Sequence, residues 1–240
     1  MSENKLRKFI ARPRTSPVGD RKLQPIVLTD SKGNWLKRQI SNEIENQIIW
    51  QAKSGARVEE STRWLKNNIA NKIIRHGDIW LYVWLGTCNL TRKNKNYIDL
   101  AHPDNNTINE ISQKYKEIAD IVSKYPGSKV TFLETPIYSI KKWNQNRGHK
   151  DPDTFEEQDK SLQEQIYNLN KEIRTLNNTL GTHSPQFSSD LHINRKVNSK
   201  TINYYNFNLY ADGIHPDTLL SKAWLRKIAE QVKRDCWTVE

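Results

Sequence analysis

Two short stretches of this 240-residue chain carry residue types suited to nucleophilic chemistry. Asp212-Gly213-Ile214-His215-Pro216 sets a carboxylate and an imidazole three residues apart, just before a helical pattern. A carboxylate beside a histidine orients the ring and fixes its tautomer, which a base acting on a hydroxyl nucleophile requires. Far upstream, Leu28-Thr29-Asp30-Ser31-Lys32-Gly33 follows an apolar run and precedes another helical pattern. A serine at the tip of a strand-to-helix turn is well placed to attack a carbonyl carbon. Each stretch alone has a plainer reading. Asp30 and Ser31 both suit a helix cap, and residues 212–216 suit a turn that opens a helix with proline in its first turn. Their joint occurrence points to Ser31, His215 and Asp212 as nucleophile, base and orienting acid.

Such residues must be brought together by the elements between them. Strand-like apolar segments alternate with helical patterns, which predicts a parallel sheet covered by helices on both faces. Strands are expected at residues 26–28, 48–52, 78–85, 129–134 and 187–193. Helices are expected at 34–47, 59–75, 106–124, 155–180 and 216–232, where apolar residues recur at helical spacing. The expected architecture is a three-layer α/β/α fold with a central parallel sheet of about five strands. In such sheets ligands bind in the crevice outside the carboxyl ends of the strands. The turns at Asp30-Ser31, Ser54-Gly55 and Gly86-Thr87-Cys88-Asn89 fall at those ends. Residues 139–153, charged and with a glycine, read as a surface loop, and residues 194–210 as a wall of the site. His76, His102, His149, His183 and His192 lack such a context and read as surface or structural residues.

These turns, in this order, resemble the SGNH, or GDSL-type, hydrolases. Thr29-Asp30-Ser31 resembles the family's first block, Gly55 its second-block glycine, Gly86-Thr87-Cys88-Asn89 its Gly-x-Asn block, and Asp212 with His215 its final block. The resemblance spans roughly residues 23–232. It implies that Ser31 attacks an ester carbonyl, His215 accepts the proton and Asp212 orients the ring. It also implies an oxyanion hole formed by the backbone amides of Ser31 and Gly55 and an asparagine side chain. Two departures stand out. Thr29 replaces the first-block glycine, and Cys88 occupies the asparagine position while Asn89 comes one residue late. Either a local bulge turns Asn89 into the hole, or Cys88 lines it.

Composition bounds the remaining classes. Hydrophobic residues make up 35%, mean hydropathy is −0.84, and no apolar run approaches the ~18 residues of a membrane span. The charged N-terminus lacks the apolar middle of a signal peptide, so an intracellular site, cytoplasmic or nuclear, is expected. Cys88 and Cys236 have no metal-ligand spacing, and the sequence calls for no metal or cofactor. The net charge of +11 attracts phosphate polymers without sequence preference. Part of it sits in residues 1–22, where Lys5, Arg7, Lys8, Arg12, Arg14, Arg21 and Lys22 outnumber Glu3 and Asp20. With Pro13 and Pro17 this segment reads as a flexible basic arm preceding a hydrolase-like domain at 23–240, and as a candidate contact for RNA or DNA. Two functions therefore stand side by side: a serine esterase acting on a small ester or acyl substrate, and a nucleic-acid-binding protein on the same scaffold with weak or no hydrolase activity.

Overall fold

Ile79–Trp84 is an unbroken apolar run, and in the computed structural model, which describes residues 3–197 and 200–237, it is wholly buried. A strand covered on both faces needs such a run rather than an alternation of apolar and polar residues. It is the third strand, β3, of a parallel sheet with β1 (Gln24–Thr29), β2 (Ile49–Ala52) and β6 (Lys129–Phe132) in the order β2-β1-β3-β6. The register sets Thr29 beside Ala52 on one side and Trp84 on the other, so the carboxyl ends of β1, β2 and β3 stop level.

Helices cover both faces. On β3, where alternate residues face opposite sides, Tyr82 and Trp84 meet α10 (Thr218–Trp237). Tyr82 donates to Asp235 at 2.8 Å, and the Trp84 and Trp224 rings meet edge to face at 5.7 Å. Packed around α10 are α1 (Glu3–Ala11), α2 (Ser31–Lys37) and α3 (Glu43–Asn46). A second set, α4 (Val58–His76), α6 (Asn106–Ser123) and α8 (Glu156–Thr179), packs together against the sheet. The architecture is the expected three-layer α/β/α fold.

Several local expectations change. The sheet has four strands, not about five, because residues 187–193 do not join it. Phe187 instead plugs the core between Trp84 and Trp224, at 4.8 and 5.5 Å. Ser188–Leu191 is a short helix, α9, and His192–Val197 pairs only with Lys200–Tyr205 as an antiparallel hairpin, β7–β8. The single helix expected at 34–47 is two, α2 and α3. A second hairpin, β4 (Thr91–Asn94) and β5 (Tyr97–Leu100), follows the short helix α5 (Thr87–Leu90). Residues 139–153 contain the helix α7 (Ile140–Asn146), which is tied to β5 because the Asn144 amide both accepts from Ile98 N (2.9 Å) and donates to Ile98 O (2.8 Å).

The N-terminal segment is also not a loose arm. Residues 3–11 form α1, and Leu6 is completely buried against the core. Beyond α1, the Arg226 guanidinium donates to the carbonyls of Ile10 and Arg12 at 2.7 Å and of Pro13 at 3.3 Å.

Candidate active site

Ser31 begins α2 directly after β1, so its hydroxyl stands at the carboxyl end of the sheet. Asp30 caps that helix, accepting from Lys32 N at 2.9 Å, so the cap reading holds at Asp30. Gly33 permits the turn to sit this close to the strands, since a Cβ there would lie 2.2 Å from Thr29 Cγ2 and 3.0 Å from Ala52 Cβ. Lys32 is buried under the turn, its ammonium donating to Asp30 Oδ2 at 2.5 Å and to Thr87 Oγ1 at 2.6 Å. A buried ammonium is tolerable only when paired and hydrogen-bonded in this way.

The loop before α10 brings the other two residues. Ser31 Oγ lies 2.7 Å from His215 Nε2, and His215 Nδ1 lies 2.7 Å from Asp212 Oδ2. The second oxygen of Asp212 accepts from the backbone N–H of Ile214 at 3.1 Å and of His215 at 2.8 Å. Burial alone would push the Asp212 carboxyl up. The hydrogen bonds from the His215 ring and backbone and from Ile214 outweigh it and hold the carboxyl below its usual range. An ionised Asp212 accepts a hydrogen bond from Nδ1–H and so leaves Nε2 as the acceptor facing Ser31. The ring is further fixed by two indoles. Trp35 stacks on it with centroids 5.5 Å apart and 18° between planes, and Trp143 tilts against it at 5.8 Å.

A cleft of about 970 Å³ opens over Ser31 and His215. Gly55 and Cys88 line it with them. The backbone N–H groups of Ser31 and Gly55 meet no acceptor among the described residues. Asn89 does not reach the cleft. Its carbonyl oxygen accepts from Val58 N at 3.0 Å and its amide donates to the Glu59 carboxylate at 2.9 and 3.1 Å, so it ties down the first turn of α4. Of the two third-block candidates, Cys88 is the one on the cleft wall, and burial pushes its thiol up to about 12, so the sulfur is protonated.

None of the described residues of the expected wall at 194–210 lines the cleft. Its side is built instead by β4, β5 and the end of α7, through Thr91, Arg92, Lys93, Tyr97, Ile98, Trp143 and Arg147. The seven basic residues of the N-terminal segment are all exposed, and none of them lines the cleft. Arg14 pairs with Glu45, and Arg21 donates to Gln47 at 2.8 Å. No helix among the described residues is long and apolar enough to cross a membrane.

No family model and no curated protein matches the sequence. Solved structures do match the fold. A GDSL-like lipase from Bacteroides thetaiotaomicron superposes with a TM-score of 0.62 over 97% of this chain and 98% of its own, at 12% identity. An acetyl-xylooligosaccharide esterase variant from Geobacillus gives 0.54 over 90% and 96%, and a lipase/acylhydrolase from Enterococcus faecalis 0.52 over 92% and 100%, each at 12% identity. The fold is that of the SGNH hydrolases.

Proposed function

We propose, from the fold this chain shares with lipases and esterases, that it is a serine hydrolase that cleaves esters through Ser31, His215 and Asp212. The reading rests on the unbroken hydrogen-bonded chain from Ser31 Oγ through the imidazole to Asp212, formed by residues 184 positions apart in sequence. Ser31 Oγ attacks the carbonyl carbon as His215 Nε2 takes its proton. The tetrahedral oxyanion is held by the backbone N–H groups of Ser31 and Gly55. His215 then returns the proton to the leaving alkoxide, and Ser31 is left acylated. Water, deprotonated by the same nitrogen, attacks the acyl-serine and releases the acid. Asp212 keeps the ring in the acceptor tautomer and stabilises the imidazolium throughout. Cys88 supplies only a protonated thiol, a weak donor, where the resemblance calls for an amide. The hole therefore works with two strong donors, and slow turnover of an activated ester is expected.

The test is hydrolysis of p-nitrophenyl acetate together with labelling by a fluorophosphonate. Ser31→Ala is expected to abolish both. An unchanged rate in that variant would assign the activity to another nucleophile and end this reading. The second reading, nucleic-acid binding through residues 1–22, draws on the exposure of all seven basic side chains there. It is checked by filter binding of RNA and DNA at low salt, and no binding would end it.

A further inference from the structure

The cleft over Ser31 carries an excess of unspent positive charge. Five cationic residues line it: Arg38, Arg57, Arg92, Lys93 and Arg147. They do not come from one charged run. Arg38 ends α2, Arg57 precedes α4, Arg92 and Lys93 lie on β4, and Arg147 follows α7. Four separate segments therefore converge on one opening. Among the described residues none of the five side chains forms an ion pair, whereas Lys32, Lys53, Lys114, Lys141, Arg174 and Arg226 all do. Among the described residues Asp30 is the single carboxylate in the wall, and its charge is already taken by Lys32. Of the nearby acids, Glu60 pairs with Lys53, Glu59 accepts from the Asn89 amide, and Asp99, across the hairpin from Arg92, accepts from Asn94 at 2.9 Å rather than from Arg92.

Two of the guanidinium groups are also oriented. Arg38 lies over the Trp35 ring at 5.4 Å and Arg147 over Trp143 at 4.4 Å. A stacked guanidinium keeps its N–H donors pointing outward in its own plane, the geometry that grips carboxylate and phosphate in pairs. The same two indoles flank His215, so the anion-binding groups are attached to the walls of the site. The cleft volume of about 970 Å³ is at the upper end of the range for small-molecule sites, roughly 300–1,000 Å³.

We infer that the substrate is a small ester bearing phosphate or carboxylate groups, which the arginines of the cleft hold while Ser31 attacks the acyl carbon. This rests on the hydrolase reading above. An acetyl ester of a neutral sugar or a plain lipid leaves five cations without a partner. An anionic ester uses them, and its encounter with the site is accelerated by their field in a salt-dependent way.

The experiment compares p-nitrophenyl succinate, which carries a carboxylate, with the neutral p-nitrophenyl butyrate of similar length. The succinate ester is expected to have the higher kcat/KM by about tenfold or more at low salt, the size of one charge-assisted hydrogen bond. The advantage should shrink as salt shortens the range of the exposed charges. Arg57→Gln with Arg92→Gln should cut the ratio about tenfold, and the Lys substitutions at both positions should restore most of it. A ratio at or below one, or a ratio that ignores these substitutions, overturns the proposal.

A second measurement separates it from the hydrolase reading. Calorimetry of Ser31→Ala protein with inorganic pyrophosphate, succinate and octathymidylate needs no turnover. Pyrophosphate alone, succinate alone, or both binding with loss in the Arg57→Gln/Arg92→Gln background supports the proposal and tells phosphate from carboxylate. Binding of octathymidylate alone makes the cleft a polymer site and overturns it, as does binding of none of the three. Anion binding without cleavage of either ester would leave the cationic cleft standing and sink the hydrolase reading instead.

Discussion

Cys88 and Asn89 differ by one position, and the single turn of α5 sends them to opposite jobs. One lines the cleft, and the other holds Val58 and Glu59 at the start of α4. The choice between them was not legible in the sequence, because it depends on the rotation of a four-residue helix packed against α6. That Ser31, Asp212 and His215 come together was legible, since each sits in a short motif whose turn chemistry is local. Replacing Cys88 with Asn restores an amide at the cleft wall and is expected to raise kcat by about tenfold, short of the 10²–10³-fold that one oxyanion donor is worth at its best. Stopped-flow turnover of p-nitrophenyl acetate reads it, and no rise would show that a side chain at 88 does not face the oxyanion. Asp212→Asn keeps the shape and removes the charge. An amide at 212 favours the tautomer with its proton on Nε2, facing Ser31, so kcat should fall by roughly 10³–10⁴-fold with KM little changed. A loss below tenfold would mean that Asp212 does not set the tautomer.

At the scale of elements, the site is made by pieces that sequence periodicity describes poorly. The long helices α4, α6 and α8 repeat apolar residues over many turns and could be read directly. The seven residues of α7 offer two turns, too few for a periodic signal, and the strands of the β4–β5 hairpin are only four residues each, β4 being polar throughout. Those pieces supply Trp143, Arg147, Arg92 and Tyr97 to the cleft. The misread strand at 187–193 has a similar cause, because Phe187 is apolar for core packing and not for pairing. Gly213 packs the loop that carries Asp212 and His215 against α7. It holds φ at +96°, its carbonyl accepts from Ser139 N at 3.1 Å, and a Cβ would lie 2.6 Å from Trp143 N. Gly213→Ala must therefore strain the backbone and push the loop away from α7. Stability should drop by about 1–3 kcal/mol. Because Asp212 and His215 flank the shift, kcat should fall about 10²-fold, the effect of roughly 1 Å of misplacement. Urea melts and kinetics on one preparation check both, and full activity with normal stability would contradict the packing described.

At the scale of the whole molecule, the basic N-terminal segment and the cationic cleft are separate features, since none of the seven basic residues of the segment lines the cleft. Charge counting alone could not separate them, because composition records how many lysines and arginines there are and not which ones are paired or where they converge. The segment also belongs to the fold. Leu6 is buried, Arg226 is 3% exposed with its Nη groups donating to the carbonyls of Ile10, Arg12 and Pro13, and α1 packs on α10, the helix that follows His215. Removing residues 1–22 uncovers that apolar surface and takes the three carbonyl acceptors from the Arg226 Nη groups, leaving only the Nε bond to Glu230. Burial of one leucine is worth about 1.5–3 kcal/mol, and an unpaired buried donor costs a further ~1–3 kcal/mol or more. The truncated protein should therefore unfold at clearly lower urea than the full chain, by at least about 3 kcal/mol. Leu6→Ala in the full chain separates core packing from the loss of charge. It keeps every basic residue, and it should lose about 2–5 kcal/mol, as large-to-small core substitutions do. A truncation with an unchanged urea midpoint would mean that residues 1–22 are the loose arm their composition suggests, and that α1 contributes nothing to holding α10 in place.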